Sequence, residues 1–209
     1  TFRILNLLAF FLFGWASITF FFVLSPFIQL WIGEEFLVSR NVLLLISINF
    51  FLVGMRIPLG VFKAAGGVYS QDKFSPLIQA FFNLSISLLL VQRFGLSGVL
   101  LGTLISSILV PQWNRPYVVY KYLFQKSSAQ YFINLFRYFL MFVFTGIILE
   151  LIFNLLSFSL SWLSFVWMLL ICFVITCVLF CLGFYRSSEF EHLKSYFGPL
   201  LDKVMLWKD

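Results

Sequence analysis

Charged residues are scarce in this sequence, and acidic residues are scarcer than basic ones. Only 11% of the 209 residues are charged, with 8 acidic against 14 basic side chains, whereas 62% are hydrophobic. A water-soluble domain of this length needs far more charge to cover its surface. Together with a mean hydropathy of +1.02, this composition predicts an integral membrane protein.

Histidine and cysteine are also rare, which argues against a metal centre. His192 is the single histidine, and Cys172, Cys177 and Cys181 fall in one apolar stretch. Their spacing fits no zinc pattern, so we interpret them as small apolar helix residues and expect no metal or cofactor. The sequence also lacks a nucleophile paired with a base, an acidic pair in a loop and a phosphate-binding glycine loop, so we expect no enzymatic activity.

Long apolar runs, by contrast, are abundant. A hydrocarbon core of about 30 Å needs roughly 20 apolar residues in a helix. We predict an all-α bundle of six unbroken transmembrane helices, over residues 4–24, 41–62, 74–91, 95–110, 133–156 and 160–185. We expect Pro26 to kink or end the first helix and Pro111 to end the fourth, with residues 111–132 as a connecting segment.

The basic residues lie mostly on one side of these spans. On the other side lie only Arg40 and Arg93, and Arg56 falls inside a span. The remaining eleven are Arg3, Lys63, Lys73, Arg115, Lys121, Lys126, Arg137, Arg186, Lys194, Lys203 and Lys208. The positive-inside rule therefore predicts a multi-pass protein with both chain ends cytoplasmic, and with short outward loops at residues 33–40, 92–94 and 157–159.

Two segments mix aromatic and basic residues, and we expect both to lie in the membrane interface. One is residues 113–126, and the other is the tail after Tyr185, with Phe190, Leu193, Tyr196, Phe197, Leu200 and Trp207. Such segments favour contact with anionic lipid headgroups, and we expect no nucleic acid partner.

The second span carries Asn49, Arg56 and Lys63 at intervals of seven residues, close to two helical turns, which places them on one face. Two interpretations of Arg56 stay open. It either lines a cavity as a fixed cation for a phosphate-bearing ligand, or it extends to the cytoplasmic interface.

The third span carries Ser75, Gln79, Asn83 and Ser87, each four residues after the last. For any single residue we favour a hydrogen bond to a neighbouring helix, worth about 0.6–2 kcal/mol in a membrane. For the stripe as a whole we favour the lining of a cavity.

The fourth span carries Gly98, Gly102 and Ser106, also at intervals of four. Small residues in this pattern are typical of a close contact between two helices. We therefore predict a helix-packing role for these three.

Residues 54–107 read GMRIPLGVFKAAGGVYSQDKFSPLIQAFFNLSISLLLVQRFGLSGVLLGTLISS. They contain Arg-x-Pro, Lys-x-Ala-x-Gly, an Asp before a span with Asn-Leu-x-x-Ser, and then Gly-Leu-x-Gly-Val-x-x-Gly-Thr. Upstream lie Gly14-Trp15 and Pro26-Phe-Ile-x-Leu-Trp-Ile-Gly33, and downstream Pro116 precedes Tyr120-Lys121. In this combination, over about residues 10–130, the chain resembles the C-terminal halves of Wzx-type lipopolysaccharide and O-antigen flippases.

The resemblance implies an architecture. These flippases belong to the multidrug/oligosaccharidyl-lipid/polysaccharide (MOP) exporter superfamily, whose members have twelve to fourteen helices in two lobes around a central cavity. We accordingly expect a four-helix segment of the C-terminal lobe over residues 1–130, two further helices over 131–185 and a cytoplasmic or interfacial tail over 186–209. The N-terminal lobe would be a partner outside this sequence, which we expect to be a fragment.

The resemblance also implies a substrate and a location. The substrate would be an oligosaccharide on a polyprenyl pyrophosphate, moved between the leaflets of the bacterial inner membrane by alternating access, with polysaccharide polymerase machinery as a further partner. Arg56 would hold the pyrophosphate, Asn49, Gln79 and Asn83 would bind sugar hydroxyls, and Lys63 would be a further substrate-binding residue.

Two other functions stay open from the sequence. A cation-coupled multidrug antiporter of the same superfamily would use carboxylates inside the membrane, and Glu150 is the only acid within the spans. A membrane O-antigen polymerase or ligase would carry a sizeable outer loop with catalytic residues, and the predicted outer loops are short.

Overall fold

The computed structural model describes residues 1–156 and 158–195, and over these ranges the chain is all-helical, without a strand. Short 3₁₀ segments lie at Glu34–Phe36 and Ser70–Asp72, and a π-helical segment lies at Val119–Phe124. The α-helices are α1 (Phe2–Trp31), α2 (Arg40–Met55), α3 (Ile57–Ala65), α4 (Ser75–Phe94), α5 (Leu96–Leu109), α6 (Pro111–Val118), α7 (Ala129–Leu155) and α8 (Trp162–Phe184). The predicted all-α class is confirmed.

Six helical stretches within the described ranges are long and apolar enough to cross a membrane. Their mean hydropathy lies between 1.5 and 2.9. They are Phe2–Trp31, Arg40–Ala65, Ser70–Phe94, Leu96–Phe124, Ala129–Leu155 and Trp162–Phe184. The predicted number of spans is therefore confirmed, and the chain is a multi-pass membrane protein by length and composition.

Helix α5 ends at Leu109, just before Pro111, as the sequence predicts, whereas Pro26 does not end the first helix. Helix α1 continues through Pro26 to Trp31, because backbone groups released in lipid would find no other partner. At Pro111 a new helix begins instead of a loop, since proline suits the first helical turn, where an N–H has no partner within the helix. The predicted connection of residues 111–132 is therefore mostly helical, and only residues 125–128 separate it from α7.

The second span is not the unbroken helix that the sequence predicts. Helix α2 ends at Met55 and α3 begins at Ile57, with Arg56 as the residue between them. The Arg56 N–H bonds to the carbonyl oxygen of Val53 at 3.1 Å, a tight turn three residues back. Pro58 lies in the first turn of α3, and its missing N–H accounts for the break.

Helix α1 is the centre of the bundle and packs against α2, α3, α7 and α8. Helix α5 packs on α2, and α4 folds back on α5 through a turn at Gly95, whose φ of +55° favours glycine. The core is built largely from stacked aromatic rings. Phe10 stacks on Tyr138 at 4.7 Å and on Phe180 at 4.2 Å, joining α1, α7 and α8.

Ion pairs show which helix ends lie together. Arg3, at the start of α1, pairs at 3.7 Å with Glu189, which follows α8. Arg40, at the start of α2, pairs with Glu150 near the end of α7. We call the first of these the Arg3 end of the bundle and the second the Arg40 end.

The tail is described as far as residue 195. Residues 188–195 are helical, and Phe190 and Leu193 pack against the aromatic core. The other tail residues predicted to lie in the interface, Tyr196, Phe197, Leu200 and Trp207, lie outside the described residues.

Candidate functional site

Arg56 lies inside the bundle, at the break between α2 and α3, and only 5% of the residue is exposed. A buried guanidinium normally has a carboxylate partner, because the loss of water is costly for a charge. Among the described residues, no Asp or Glu lies within 4 Å of it. The site is therefore built around a desolvated, unneutralised cation.

The contact that holds Arg56 is a backbone carbonyl of the fourth span. Its Nη1 donates to the carbonyl oxygen of Ser107 at 3.4 Å. In a continuous helix this carbonyl would accept from the residue four positions later, which is Pro111 and has no N–H. The guanidinium thus caps a carbonyl that the proline leaves free.

Arg56 and two residues at the break of the fourth span carry buried polar atoms that have no hydrogen-bond partner among the described residues. They are Arg56 Nε, Ser107 Oγ, and Nε2 and Oε1 of Gln112. Unpaired polar atoms are costly inside a membrane protein and mark places where water or a ligand binds. Arg56 Nε is a donor without a partner, which suits an anionic oxygen group.

The fifth span also reaches this point. The Tyr131 hydroxyl donates to the carbonyl oxygen of Met55 at 3.4 Å, directly before Arg56, and the tyrosine is fully buried. The second, fourth and fifth spans therefore meet at Arg56. Sequence reasoning missed Ser107, Gln112 and Tyr131, although Pro111 is a visible signal for a free carbonyl at Ser107.

Lys63 has a partner of its own. Its Nζ donates to Asp72 Oδ2 at 2.6 Å, and only 17% of the lysine side chain and 4% of the aspartate side chain are exposed. This pair closes the loop between α3 and α4. The seven-residue spacing predicts a common face for Lys63 and Arg56, but in the structure a helix break separates them.

Asn49 bridges α2 and α5. Its Nδ2 donates to the carbonyl oxygen of Leu45 at 3.0 Å, within its own helix, and to that of Leu100 at 3.4 Å. Asn49 and Arg56 thus both contact α5, and they lie about two helical turns apart in the second span.

The polar stripe of α4 faces the small residues of α5. Ser87 Oγ donates to Asn83 Oδ1 at 3.0 Å and lies 3.3 Å from the carbonyl oxygen of Val99. A Cβ at Gly102 would overlap Ser87. The two stripes that the sequence shows separately are therefore the two sides of one helix contact.

Of the remaining stripe residues, Gly98 follows the same pattern. A Cβ at Gly98 would overlap the carbonyl of Leu90 in α4. Ser106 is fully buried and donates to the carbonyl oxygen of Thr103, and Gln79 is half-buried on α4. The structure brings Asn49 and Arg56 to α5 from the second span and Ser87 to it from α4, where Ser87 also bonds to Asn83.

Comparison of the chain with protein-family models, with curated proteins and with solved structures finds no match to any of them.

Proposed function

We propose that this chain is part of a transporter that moves polyprenyl-pyrophosphate-linked oligosaccharides across the bacterial cytoplasmic membrane. The observation that carries the proposal is Arg56, a buried cation without a carboxylate where three spans meet. Arginine presents a planar fork of donors that fits phosphate oxygens bidentately and stays charged when partly desolvated. A pyrophosphate would neutralise it.

Interrupted helices support a transport role. Transporters bind substrates near the bilayer midplane where spanning helices are broken and free backbone groups line the site. Here the second span is interrupted at Arg56 and the fourth at Val110, and the two spans touch through Arg56 and Ser107. In the proposed alternating-access cycle, two lobes rock about this site, the second lobe lying outside this sequence.

The proposal gives each candidate residue a role. Arg56 holds the pyrophosphate, Lys63 is a further binding residue, and Asn49, Gln79 and Asn83 bind sugar hydroxyls. Asn49 and Asn83 already have hydrogen-bond partners within the chain. Such bonds average about 0.6 kcal/mol in membrane proteins, so sugar hydroxyls can replace them at little cost.

The contacts of Glu150 weigh against the antiporter alternative. A cation-coupled antiporter needs a carboxylate that binds and releases its ion. Glu150 pairs with Arg40 at the opposite end of the second span from Lys63. Drug resistance conferred by the full-length protein and lost in Glu150→Gln would favour the antiporter.

The short connections at the Arg40 end weigh against a polymerase or ligase. Helix α2 follows α1 after eight residues, 32–39, and Gly95 alone separates α4 from α5. Neither connection has room for a catalytic loop.

The deciding experiment separates the charge of Arg56 from its capping role. Surface polysaccharide is measured in a strain that carries the full-length gene with Arg56→Gln, with Pro111→Ala, or with both. The double variant restores an N–H for the Ser107 carbonyl and lacks the cation, so we expect it to fold and to produce little polysaccharide. Normal output from a normally expressed double variant would overturn the proposal.

Two single variants complete the series. We expect Arg56→Lys to retain part of the output, because it keeps the charge without the bidentate fork. Arg93→Gln, at an exposed arginine at the end of α4, is the matched control and should leave the output unchanged.

A further inference from the structure

A cavity lies between α1, α2 and α7, and Arg56 is not among its lining residues. Its volume is about 360 Å³. The wall is apolar except for Ser47 and for an ion pair, Arg40 with Glu150, at one end. The apolar lining residues include Ile18, Phe22, Leu44, Phe142, Val143 and Ile147.

The cavity opens at the side of the bundle, within the membrane-spanning stretches. Ile18 and Phe142 form a buried inner wall, whereas Leu44 and Ile147 are exposed at the opening. An apolar ligand can therefore enter from the bilayer without crossing water.

Gly146 lines the cavity without a side chain and so leaves space in it. It lies in the interior of the 27-residue helix α7, where glycine is less favourable than alanine. A Cβ at this position would meet no atom within 4 Å. Close helix packing therefore does not explain the glycine, and the space beside it belongs to the cavity.

The Arg40 guanidinium stands at the polar end. It lies 5.2 Å from the ring centroid of Phe21, and 64% of its side chain is exposed. A phosphate in the adjoining headgroup layer can reach it, and arginine binds phosphate bidentately. Glu150 is the group with which such a phosphate would compete.

We propose that this cavity binds one acyl chain of a phospholipid whose phosphate pairs with Arg40. The volume is more than twice that of an apolar cavity of ~150 Å³ that takes up benzene, so it has room for a substantial part of a single chain. The apolar walls and the lateral opening match the acyl chain of a lipid, and the Arg40 cation at one end matches its phosphate. This inference does not depend on the proposed transport function.

The test uses the full-length protein in nanodiscs that contain phosphatidylglycerol with a photoreactive group in the acyl chain. Cross-linked residues are identified by mass spectrometry. We expect cross-links to concentrate on the cavity walls of α1, α2 and α7. If exposed α4 residues such as Leu77 and Leu89 are labelled as strongly as the cavity walls, the proposal is overturned. This comparison needs only the unaltered protein.

Variants then test each part of the site. Gly146→Leu fills the cavity and should lower cross-linking at its walls at least fivefold. Gly60→Leu is the matched control, because a Cβ there also meets no atom within 4 Å and Gly60 lies outside the cavity. Unchanged cross-linking in Gly146→Leu would count against the proposal.

Substitutions in the Arg40–Glu150 ion pair should change the amount of cross-linking in opposite directions. Arg40→Gln removes the phosphate partner and should lower cross-linking, whereas Glu150→Gln frees Arg40 and should raise it. A change in the same direction for both variants would show that the pair acts on helix packing and does not bind the lipid phosphate.

Discussion

Arg56 of the second span caps the carbonyl oxygen of Ser107, which Pro111 in the fourth span leaves without a helical partner. Two helix breaks are therefore joined by one hydrogen bond of 3.4 Å. The bond is long, and the cation has no counter-ion among the described residues. A phosphate would be a stronger partner than the carbonyl, so the same guanidinium can cap Ser107 and, in the proposed function, exchange that carbonyl for the pyrophosphate.

This relationship predicts energetic coupling between Arg56 and Pro111. The free energy of unfolding in detergent is measured for Arg56→Met, Pro111→Ala and the double variant. Pro111→Ala supplies an N–H for the Ser107 carbonyl, so loss of the arginine should cost less in its presence. We expect an interaction energy of about 1 kcal/mol or more, because residues that share a hydrogen bond are not independent. Additivity to within ~0.5 kcal/mol would contradict the capping role.

The Lys63–Asp72 pair gives a second prediction, about stability and transport together. Removal of one partner from a buried pair costs about 3–5 kcal/mol, so Asp72→Asn should lower the melting temperature markedly. Lys73→Met, at the exposed neighbouring lysine, should not. The exchange Lys63→Asp with Asp72→Lys should recover most of the stability.

Transport by the exchanged pair separates two roles of Lys63. If its cation binds substrate, as proposed, polysaccharide output stays low although the protein is stable. Full output would show that the lysine serves only to close the loop between α3 and α4.

The spans were predictable because each is a predominantly apolar run of sufficient length to cross a membrane. The helix breaks could be only partly predicted. Pro58 and Pro111 are visible in the sequence, but whether a proline ends a helix or begins the next depends on the backbone around it. The same residue type continues the helix at Pro26 and starts one at Pro111.

The site was harder to predict because its contacts are distant in sequence. Seven-residue spacing gives neighbouring positions on an unbroken helix, but the second span is broken at Arg56, and Lys63 pairs with Asp72 of the following loop. For α4 and α5 a usable signal existed. Ser87 and Gly102 lie at nearly equal distances from the turn at Gly95, which places them opposite each other in a helical hairpin.

The hairpin contact gives a third prediction. Gly98→Ala places a Cβ against the Leu90 carbonyl, a backbone atom that cannot turn aside. Overpacking of this kind costs about 1–3 kcal/mol, so the melting temperature should fall. Gly60→Ala is the same substitution in open space and should be neutral or slightly stabilising. Equal effects of the two would show that α4 and α5 do not approach closely at Gly98.

The final prediction concerns orientation across the membrane. Eleven bases against two predict that the Arg3 end is cytoplasmic. Ser127→Cys, in the connection before α7, should then react with a membrane-impermeant maleimide only after cells are permeabilised. Glu35→Cys, in the connection between α1 and α2, should react in intact cells, and the unaltered chain measures the background from its three cysteines. The reverse pattern would place Lys63 on the outer side, opposite to the side from which the proposed substrate would enter.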